Sequence, residues 1–213
     1  MGSSFVSSKI IVIGAGGHAK VCIELFRAMG EEVAYCVGNS DSPDQCLDVP
    51  VLQGDEQLEQ LKENGYARLF VAIGSNALRD RLATASVNMG YLLVNAVSPQ
   101  AIISPSATLG HGVAVMPGAV INASTVIGDL AIINTGATID HDCRIGRAVH
   151  IAPQCALAGN VEVQALSFLG IGCKVIPDTR IGERVVVGAG GVVIAHVESG
   201  SKLVGIPARA ITN

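Results

Sequence analysis

Aromatic residues are scarce in this chain of 213 residues, which contains four phenylalanines, three tyrosines and no tryptophan. A core of this size normally draws much of its volume from aromatic rings, so small aliphatic side chains must fill it by a regular layering. Charged residues make up only 15% of the chain, and the net charge is −4. With no basic run or basic excess to neutralise phosphates, the composition argues against a nucleic-acid-binding protein.

Long apolar segments and secretion signals are also missing from the sequence. The most apolar region, residues 113 to 133, is interrupted by Pro, Asn, Gly and Asp, so it is not expected to cross a membrane. The start, MGSSFVSSKI, has no basic segment followed by an apolar one, and it indicates an unstructured lead-in or an expression remnant. Six cysteines without a secretion signal indicate free thiols in a reducing compartment. These features predict a soluble, cytoplasmic protein.

Residues 103 to 198 can be divided into sixteen consecutive units of six without an insertion. The first position of every unit is Ile, Leu or Val, and the fifth is always small or β-branched. Neither a helix nor a strand has this period, whereas a hexapeptide repeat does. The repeat predicts a parallel β-helix with 18-residue coils, first-position side chains inside and fifth-position side chains at the corners. Cys143, Cys155 and Cys173 occupy fifth positions, so we expect them to be buried packing residues.

The first 97 residues follow a different pattern, in which short buried strands alternate with amphipathic helices. This alternation predicts a parallel sheet of Rossmann type. The chain is therefore interpreted as an α/β domain over residues 1–97, followed by a β-helix over residues 98–213. The predicted strands are KIIVI, EVAYCVGN, ARLFVAIGSN and YLLVNAV, and the predicted helices follow the glycine turn or lie in DEQLEQLKENG and ALRDRLATASVNMG.

A glycine-rich turn, Gly14-Ala15-Gly16-Gly17-His18, joins the first strand to the first helix. Backbone N–H groups at such a helix start can hold a phosphate, so the turn predicts a nucleotide diphosphate site, with a purely structural turn as the alternative. The second strand ends in Gly38-Asn39 rather than in an acidic residue, which argues against NAD. A second polar turn, Ser75-Asn76 with Arg79, either closes over the same ligand or caps a helix. His18 likewise either faces the ligand or caps its helix.

Two histidines stand inside the repeat, His141 and His150, and Asp142 directly follows the first. His141 is a third-position residue that points outward, and Ala123 and Gly159, one coil away on either side, leave room beside it. Asp142 can hydrogen-bond the ring, fix its tautomer and raise its basicity, which makes His141 a candidate general base. His150 lies half a coil further, on another side of the triangle. The two histidines can therefore meet only between subunits of a closed oligomer such as a trimer.

A zinc site is the competing interpretation of these histidines. Hexapeptide-repeat carbonic anhydrases use three histidines, two of them five residues apart on one chain. No pair of histidines here has that spacing, so we expect no metal. His111 and His196 lack a comparable setting, and both are expected to be solvated.

Several motifs together resemble the sialic-acid O-acetyltransferase-like sugar acyltransferases of the NeuD/PglD type. They are IVIGAGGHAK, VAIGSNALR, ISPSATLG, INTGATIDHDCRIG, HIAP, AGNV and VGIPAR. The resemblance implies a nucleotide-sugar-binding Rossmann-like domain and a left-handed β-helix that binds acetyl-CoA. It also implies a homotrimer with active sites between subunits. The family includes N-acetyltransferases of nucleotide-linked 4-amino-sugars, which act in O-antigen and polysaccharide biosynthesis.

Carried over to this chain, the resemblance implies that His141 is the catalytic base and that Asp142 raises its basicity. Gly38-Asn39 stands where several UDP-sugar members carry an Asp-Asp pair, and the implied acceptor is GDP-perosamine. A UDP-4-amino-sugar N-acetyltransferase, a sugar O-acetyltransferase and a non-catalytic nucleotide-sugar-binding trimer are the alternatives. The residues implied to contact acetyl-CoA are His150, Ile171 and Ala189. The candidate substrate-binding residues are Gly16, Gly17, His18, Gly38, Asn39, Ser75 and Asn76.

Overall fold

The computed structural model describes residues 7 to 211, which divide into two compact units, one up to Ala96 and the other from Val97. The predicted boundary between residues 97 and 98 lies one residue further along the chain. The unstructured lead-in expected at residues 1 to 6 lies outside the described residues, and strand β1 already begins at Ser7. Within residues 7 to 211, no helix is both long and apolar enough to span a bilayer.

The first unit is a Rossmann-like α/β domain. Its sheet has the strand order β3-β4-β2-β1-β5-β6, and the pairs are parallel except for β3 with β4. The strands are β1 (Ser7–Ile13), β2 (Val33–Gly38), β3 (Gln45–Cys46), β4 (Val49–Gln53), β5 (Tyr66–Val71) and β6 (Leu92–Leu93). The helices are α1 (Gly17–Ala28), α2 (Gln57–Glu63) and α3 (Asn76–Asn88).

Strand β1 forms the centre of this sheet because its aliphatic side chains are buried on both faces. Ile10, Ile11 and Val12 are fully buried, as expected for a strand covered by helices on both sides. Helix α1 packs onto the sheet through Phe26, whose ring meets the edge of Phe70 on β5 at a centroid distance of 5.4 Å. The strand order reverses between β1 and β5. Ligands bind at the carboxyl ends of the strands at such a reversal.

The sequence pattern assigned no element to residues 45 to 53, but the structure places two strands there. Strand β4 extends the sheet beside β2 and buries Val49 and Val51. It contains Pro50, a residue that argues against a strand because it cannot donate a ladder hydrogen bond. The proline is accommodated because only the two-residue strand β3 covers that side of β4.

The second unit is a three-sided parallel β-helix in which two-residue strands alternate with turns. Between residues 102 and 193, each strand pairs with the strand 18 residues away, as Thr138 does with Ala156, which confirms the predicted coil. At the end of the unit, Val186 pairs with Lys202, 16 residues away. The chain enters this unit through β7 (Ala96–Val97). One side is formed by β10 (Ala114–Val115), β13 (Ile132–Ile133), β16 (His150–Ile151), β19 (Phe168–Leu169), β22 (Val186–Val187), β24 (Lys202–Val204) and β25 (Arg209–Ala210).

The other two sides are shorter. The second consists of β8 (Ile102–Ile103), β11 (Val120–Ile121), β14 (Thr138–Ile139), β17 (Ala156–Leu157), β20 (Lys174–Val175) and β23 (Val192–Val193). The third consists of β9 (Thr108–Leu109), β12 (Val126–Ile127), β15 (Arg144–Ile145), β18 (Glu162–Val163) and β21 (Arg180–Ile181).

The core of the β-helix is built from the first and fifth positions of the hexapeptide units. From residue 121 to residue 193, every first-position side chain is at most 3% exposed. Burying one such aliphatic side chain stabilises the fold by about 1.5–3 kcal/mol, so the repetition itself supplies a continuous core. Cys143, Cys155 and Cys173 are at most 1% exposed, which confirms that they are packing residues. Burial raises the pKa of Cys155 to about 11 and that of Cys173 to about 12, so neither thiol forms a nucleophilic thiolate near pH 7.

Candidate active site

A cavity of about 540 Å³ lies at the carboxyl edge of the sheet in the first unit. Three of the predicted substrate-binding residues line it, namely Gly16, Gly38 and Asn39. Sequence reasoning missed three charged residues that also line it, namely Asp41, Asp55 and Arg81. Their only signal in the sequence is proximity, because Asp41 lies two residues after Asn39 and Arg81 two residues after Arg79.

The glycine turn combines one structural glycine with two that leave open space. Gly14 has a φ of 117°, and a Cβ there would lie 2.8 Å from the carbonyl oxygen of Ala72, so only glycine fits between the strands. A Cβ on Gly16 or Gly17 would meet nothing within 4 Å. Gly16 caps helix α1, whose first turn holds no acidic side chain. The N–H groups of that turn have no partner within the helix, so the turn suits an anion such as a diphosphate.

His18 lies in the first turn of α1, but it does not cap the helix, since Gly16 occupies the cap position without a side-chain hydrogen bond. Its Nε2 lies 3.8 Å from the Sγ of Cys22. Desolvation and the nearby positive charge of Arg79 lower the pKa of His18 to about 4. The imidazole is therefore neutral at pH 7 and can exchange hydrogen bonds, but it cannot offer a charge to a phosphate.

Arg79 has a structural role in the second polar turn, for which the sequence left ligand contact and helix capping open. The side chain is 1% exposed. Its guanidinium donates to the carbonyl oxygens of Ile73 and Gly74, at 2.9 and 3.2 Å, and to Oδ1 of Asn76 at 2.9 Å. Asn76 is the first residue of α3, and Ser75 occupies the cap position without a side-chain hydrogen bond. Arg79 thus fixes the turn that follows β5.

His141 and Asp142 form a hydrogen-bonded pair at the corner between β14 and β15. Nδ1 of His141 lies 2.8 Å from Oδ2 of Asp142. Asp142 reaches the ring from a left-handed backbone conformation, with a φ of 59°, as fourth-position residues do at most corners of this β-helix. Because Nδ1–H donates to the carboxylate, Nε2 is left as the proton acceptor.

A second carboxylate stands on the other side of His141. Oδ1 of Asp140 accepts the backbone N–H of His141 at 2.8 Å and the side-chain amide of Asn122 at 3.0 Å. The hydrogen bond to Asp142 and then the charge of Asp140 raise the pKa of His141 above its ordinary value. The two donors in turn lower the pKa of Asp140. The site therefore favours a basic imidazole with the ionised carboxylate of Asp140 nearby.

The imidazole of His141 packs against Gly159 in the next coil. A Cβ at that position would lie 2.6 Å from Cε1 and 2.7 Å from Nε2 of the ring. The small neighbour expected from the 18-residue spacing is therefore a surface on which the ring rests. His111, at the same hexapeptide position five units earlier and at a different corner, is exposed, and its backbone N–H donates to Asp129. His196 is exposed, but its Nδ1 accepts the N–H of Arg180 at 3.0 Å.

His150 lies on a different side of the β-helix from His141. It is part of β16, and its Nε2 lies 3.1 Å from the side-chain amide of Asn134. Its ring meets the edge of Phe168 at a centroid distance of 5.2 Å. A single protomer therefore does not bring the two histidines together, as expected from their spacing.

Ile171 and Ala189 occupy the same corner in successive coils. Both are exposed, and the N–H of Gly190 donates to the carbonyl oxygen of Ile171 at 2.8 Å. An exposed aliphatic column along a β-helix suits an elongated ligand better than a compact one. Within residues 7 to 211, no group of three or more His, Cys, Asp or Glu side chains is arranged to hold a metal ion.

Another cavity, of about 440 Å³, opens at the amino edge of the sheet in the first unit. Its lining includes Lys9 and Glu32, which form an ion pair at 2.5 Å, and the edge-to-face rings of Tyr35 and Tyr66. It lies at the opposite ends of the strands from the glycine turn, so we assign it no role in the chemistry described below.

A Rossmann-like domain with a glycine-rich turn at the start of its first helix, followed by a hexapeptide β-helix with a basic histidine at one corner, defines the class of hexapeptide-repeat acyltransferases. The PglD N-terminal domain family model matches residues 9–85. Perosamine N-acetyltransferase from Caulobacter crescentus has been solved as the H141N mutant with CoA and GDP-perosamine. Its sequence is 49% identical to this chain, and the match covers 99% of this chain and 100% of that chain with a TM-score of 0.95. This chain therefore belongs to the NeuD/PglD-type family of sugar acyltransferases, and the left-handed β-helix expected from the resemblance is confirmed.

Two further relatives lie at greater distance. The acetyltransferase domain of PglB from Neisseria gonorrhoeae, solved with acetyl coenzyme A, is 35% identical with a TM-score of 0.90, over 96% of this chain and 99% of that one. The GDP-perosamine N-acetyltransferase of Escherichia coli O157:H7 is 28% identical over 120 residues, 56% of this chain and 54% of that protein. Across the curated relatives it matches, the chain spans between 24% and 54% of their length.

Proposed function

We propose that this protein transfers an acetyl group from acetyl-CoA to the 4-amino group of a nucleotide-linked amino-sugar, with GDP-perosamine as the acceptor. The observation that carries the proposal is the pair formed by His141 and Asp142, at 2.8 Å, on a hexapeptide β-helix. The likeness over almost the whole chain to a perosamine N-acetyltransferase solved with CoA and GDP-perosamine supports the choice of both substrates.

The reaction is a direct transfer. The amine nitrogen attacks the thioester carbonyl, the C–N bond forms, and His141 Nε2 accepts the proton that the nitrogen loses. Collapse of the tetrahedral intermediate breaks the C–S bond, and the imidazolium returns its proton to the leaving thiolate. Backbone N–H groups that face the thioester oxygen stabilise the oxyanion. Binding both substrates in one cleft supplies the orientation that makes the attack effectively unimolecular.

Asp142 serves this step by orientation rather than by stabilising the fold. The side chains of His141 and Asp142 are 59% and 62% exposed, and ion pairs between such exposed groups contribute little to stability. The carboxylate instead holds the proton on Nδ1, so Nε2 presents its lone pair to the amine. The carboxylates on both sides of the ring also stabilise the imidazolium that forms.

The nucleotide of the acceptor occupies the 540 Å³ cavity of the first unit. Its diphosphate lies at the start of α1, where Gly16 and Gly17 leave open space and no acidic side chain opposes an anion. Arg81, which lines the same cavity, supplies a compensating positive charge. The predicted residues His18, Ser75 and Asn76 lie at the starts of α1 and α3, but none of them lines this cavity.

Acetyl-CoA lies along the β-helix, over the exposed column of Ile171 and Ala189, with its thioester near His150. Since His141 and His150 lie on different sides of one protomer, two protomers of a homotrimer contribute them to each cleft. A mass of about 65 kDa in solution, three times 21.8 kDa, is expected by light scattering. Mixing separately inactive H141A and H150A subunits should restore up to about a quarter of the activity, because random assembly pairs intact halves at that frequency.

We further propose that the enzyme acts in the cytoplasm, where it prepares a nucleotide-linked sugar for O-antigen or polysaccharide assembly. All six cysteines are free thiols, as expected in a reducing compartment. Fractionation of cells that express the tagged protein tests this placement.

Acetyl transfer from acetyl-CoA to GDP-perosamine and to UDP-linked 4-amino-sugars, followed by mass spectrometry, tests the proposed reaction. We expect acetylation of the GDP-linked sugar, and a kcat about 10²- to 10⁴-fold lower in His141→Ala with little change in KM, since a general base acts in the transition state. His111→Ala is the matched control, because it removes an exposed histidine from the same hexapeptide position. A preference for a UDP-sugar would change the acceptor, and no transfer to any sugar would contradict the proposed activity.

A further inference from the structure

The corner of the β-helix that holds His141, residues 140–143, is closed by a side chain. At many other corners the last residue of the turn donates its backbone N–H directly to the carbonyl oxygen of the first, as Ala137 does to Asn134 at 3.0 Å. At the corner of His141, the hydroxyl of Thr125 from the preceding coil stands between the same two backbone groups. It donates to the first carbonyl oxygen at 2.7 Å and accepts the last N–H at 3.2 Å. A single hydroxyl therefore links the two ends of the turn that holds the imidazole.

Thr125 is well suited to hold this bridge in one geometry. The residue is fully buried, and a buried hydroxyl with both a donor and an acceptor partner has little freedom to reorient. Its β-branched side chain is also restricted at χ1. Asn122, three residues earlier in the same corner, donates its side-chain amide to Oδ1 of Asp140 at 3.0 Å. The preceding coil therefore holds Asp140 by its carbonyl oxygen as well as by its carboxylate.

A similar contact recurs one coil further, beside the surface on which the imidazole rests. Sγ of Cys143, at the fifth position 18 residues after Thr125, donates to the carbonyl oxygen of Ala158 at 3.2 Å. Ala158 directly precedes Gly159, which packs against the imidazole. Two successive fifth-position side chains thus fix the corner that carries His141 and the corner against which its ring packs.

Ser167 forms the same bridge at a different corner. Its Oγ donates to the carbonyl oxygen of Gly182 at 2.7 Å and accepts the N–H of Val185 at 2.9 Å. Like Thr125, it is fully buried. The corner of residues 182–185 lies between β21 and β22 and carries none of the candidate site residues. Ser167 is therefore a matched control for Thr125, since its hydroxyl makes the same two bonds where no site residue depends on them.

We propose that Thr125 is a positioning residue for acetyl transfer, whose hydroxyl holds this turn open and thereby directs His141, an inference that rests on the proposed function. Without the hydroxyl, the two backbone groups would pair directly, as they do at the corner of Ala137, so the turn would close rather than unfold. The closed turn would tilt His141 relative to Gly159 and to the substrates. A shift of about 1 Å in a reacting group can cost roughly 100-fold in rate.

The kinetics of acetyl transfer by Thr125→Val test the inference, because valine keeps the branched shape of threonine but lacks the hydroxyl. We expect kcat to fall by about 10- to 100-fold, with KM within about twofold of wild type. Thr125→Ser keeps the hydroxyl, so its kcat should stay within about threefold of wild type. Ser167→Ala removes the corresponding pair of hydrogen bonds from the other corner, and it should keep the wild-type kcat.

The NMR signal of the Cε1–H group of His141, assigned by its loss in His141→Ala, gives a second readout that needs no turnover. The hydrogen bond to Asp142 and the charge of Asp140 raise the pKa of His141 in the open turn. Closing the turn would change the placement of both carboxylates around the ring. In Thr125→Val the chemical shift should therefore move and the pKa of His141 should fall towards its ordinary value, whereas neither should change in Ser167→Ala.

A wild-type kcat in Thr125→Val would overturn the inference, and so would an equal loss of kcat in Ser167→Ala or in Thr125→Ser. A loss confined to KM, or an unchanged His141 signal in Thr125→Val, would overturn it as well. Should the valine variant not fold, Thr125→Ala removes the same hydroxyl and is judged by the same criteria. If wild type acetylates no sugar, the proposed function fails alone, because the NMR comparison still tests the position of His141. Acetyl transfer that is unaffected in Thr125→Val would contradict this inference alone.

Discussion

Replacing Gly159 with alanine should displace the His141 ring from its position while leaving the histidine itself unchanged. The added Cβ would lie 2.6 Å from Cε1 and 2.7 Å from Nε2, whereas ordinary carbon contacts lie near 3.5–4.0 Å. The ring must therefore retreat by roughly 1 Å, or rotate and lose the 2.8 Å hydrogen bond to Asp142. A misplacement of about 1 Å in a reacting group can cost roughly 100-fold, so kcat/KM should fall by about that factor.

The fold should survive this change. Gly159 does not adopt a left-handed backbone, and its carbonyl oxygen, which accepts the N–H of Asp178 at 3.1 Å, is unaffected by a methyl group. Alanine at such a position reduces the freedom of the unfolded chain, which stabilises a protein by about 0.4–1 kcal/mol when no strain opposes it. The melting temperature should therefore not fall, and a loss of activity would report on the imidazole.

A double-mutant cycle provides the decisive assay, with release of the CoA thiol from acetyl-CoA as the readout and GDP-perosamine as the acceptor. If Gly159 acts only through the ring, adding Gly159→Ala to His141→Ala should change activity by less than about twofold. The coupling energy would then be about 2.7 kcal/mol, equivalent to a 100-fold effect. An equal loss in both backgrounds would refute the reasoning, and so would wild-type activity in Gly159→Ala.

Three further predictions follow from the charges and thiols of the chain. In Asp140→Asn, the acid limb of the pH profile of kcat/KM should move to lower pH, because His141 loses a carboxylate that raises its pKa; an unmoved limb, as expected for Asp129→Asn, would contradict that role. The pKa of His18 is about 4 in the folded protein and 6.5 in the reference state. As the pH drops from 6.5 towards 4, the unfolded chain therefore binds a proton at His18 before the folded protein does. The free energy of unfolding should fall by up to roughly 3 kcal/mol over that range. In His18→Asn, the melting temperature should depend less on pH over that range than it does in wild type. In His111→Gln, the pH dependence of the melting temperature should match that of wild type. A thiol reagent should label the native protein far more slowly than the unfolded protein, because all six cysteines are buried; rapid native labelling would contradict the packing assignment of Cys22, Cys36, Cys46, Cys143, Cys155 and Cys173.

The β-helix could be predicted in detail because its geometry repeats. Once the six-residue period is set, the sequence number of a residue gives its side of the triangle, its inward or outward direction and its neighbours one coil away. That arithmetic placed Gly159 beside His141, separated His141 from His150, and aligned Ile171 with Ala189. It could not reveal that Asp140 accepts the backbone N–H of His141. That contact depends on a side-chain rotamer, which no period specifies.

The cavity at the carboxyl edge of the sheet in the first unit could be predicted only in outline, because its walls come from segments whose contacts follow no period. The strand-turn-helix pattern placed Gly16 at the start of α1, but it missed β4, since Pro50 interrupts the pattern of that strand. Asp41 lines the cavity because of the way the loop after β2 folds, and Arg81 lines it because of the face of α3 on which it lies. The sequence left the role of Arg79 open, because only the structure shows that its guanidinium is buried and donates to backbone carbonyl oxygens.

The exposure of the His141–Asp142 pair bears on where the reaction takes place. With side chains 59% and 62% exposed, the carboxylate acts on the imidazole through a largely aqueous medium, in which electrostatic effects are weak. A general base and its carboxylate partner become effective when water is excluded around the developing charges. In the protomer, the ring is shielded on one face by Gly159, and the opposite side is open. Under the proposed function, acetyl-CoA, the sugar and a neighbouring subunit would supply the remaining cover, so substrate binding and assembly would complete the site.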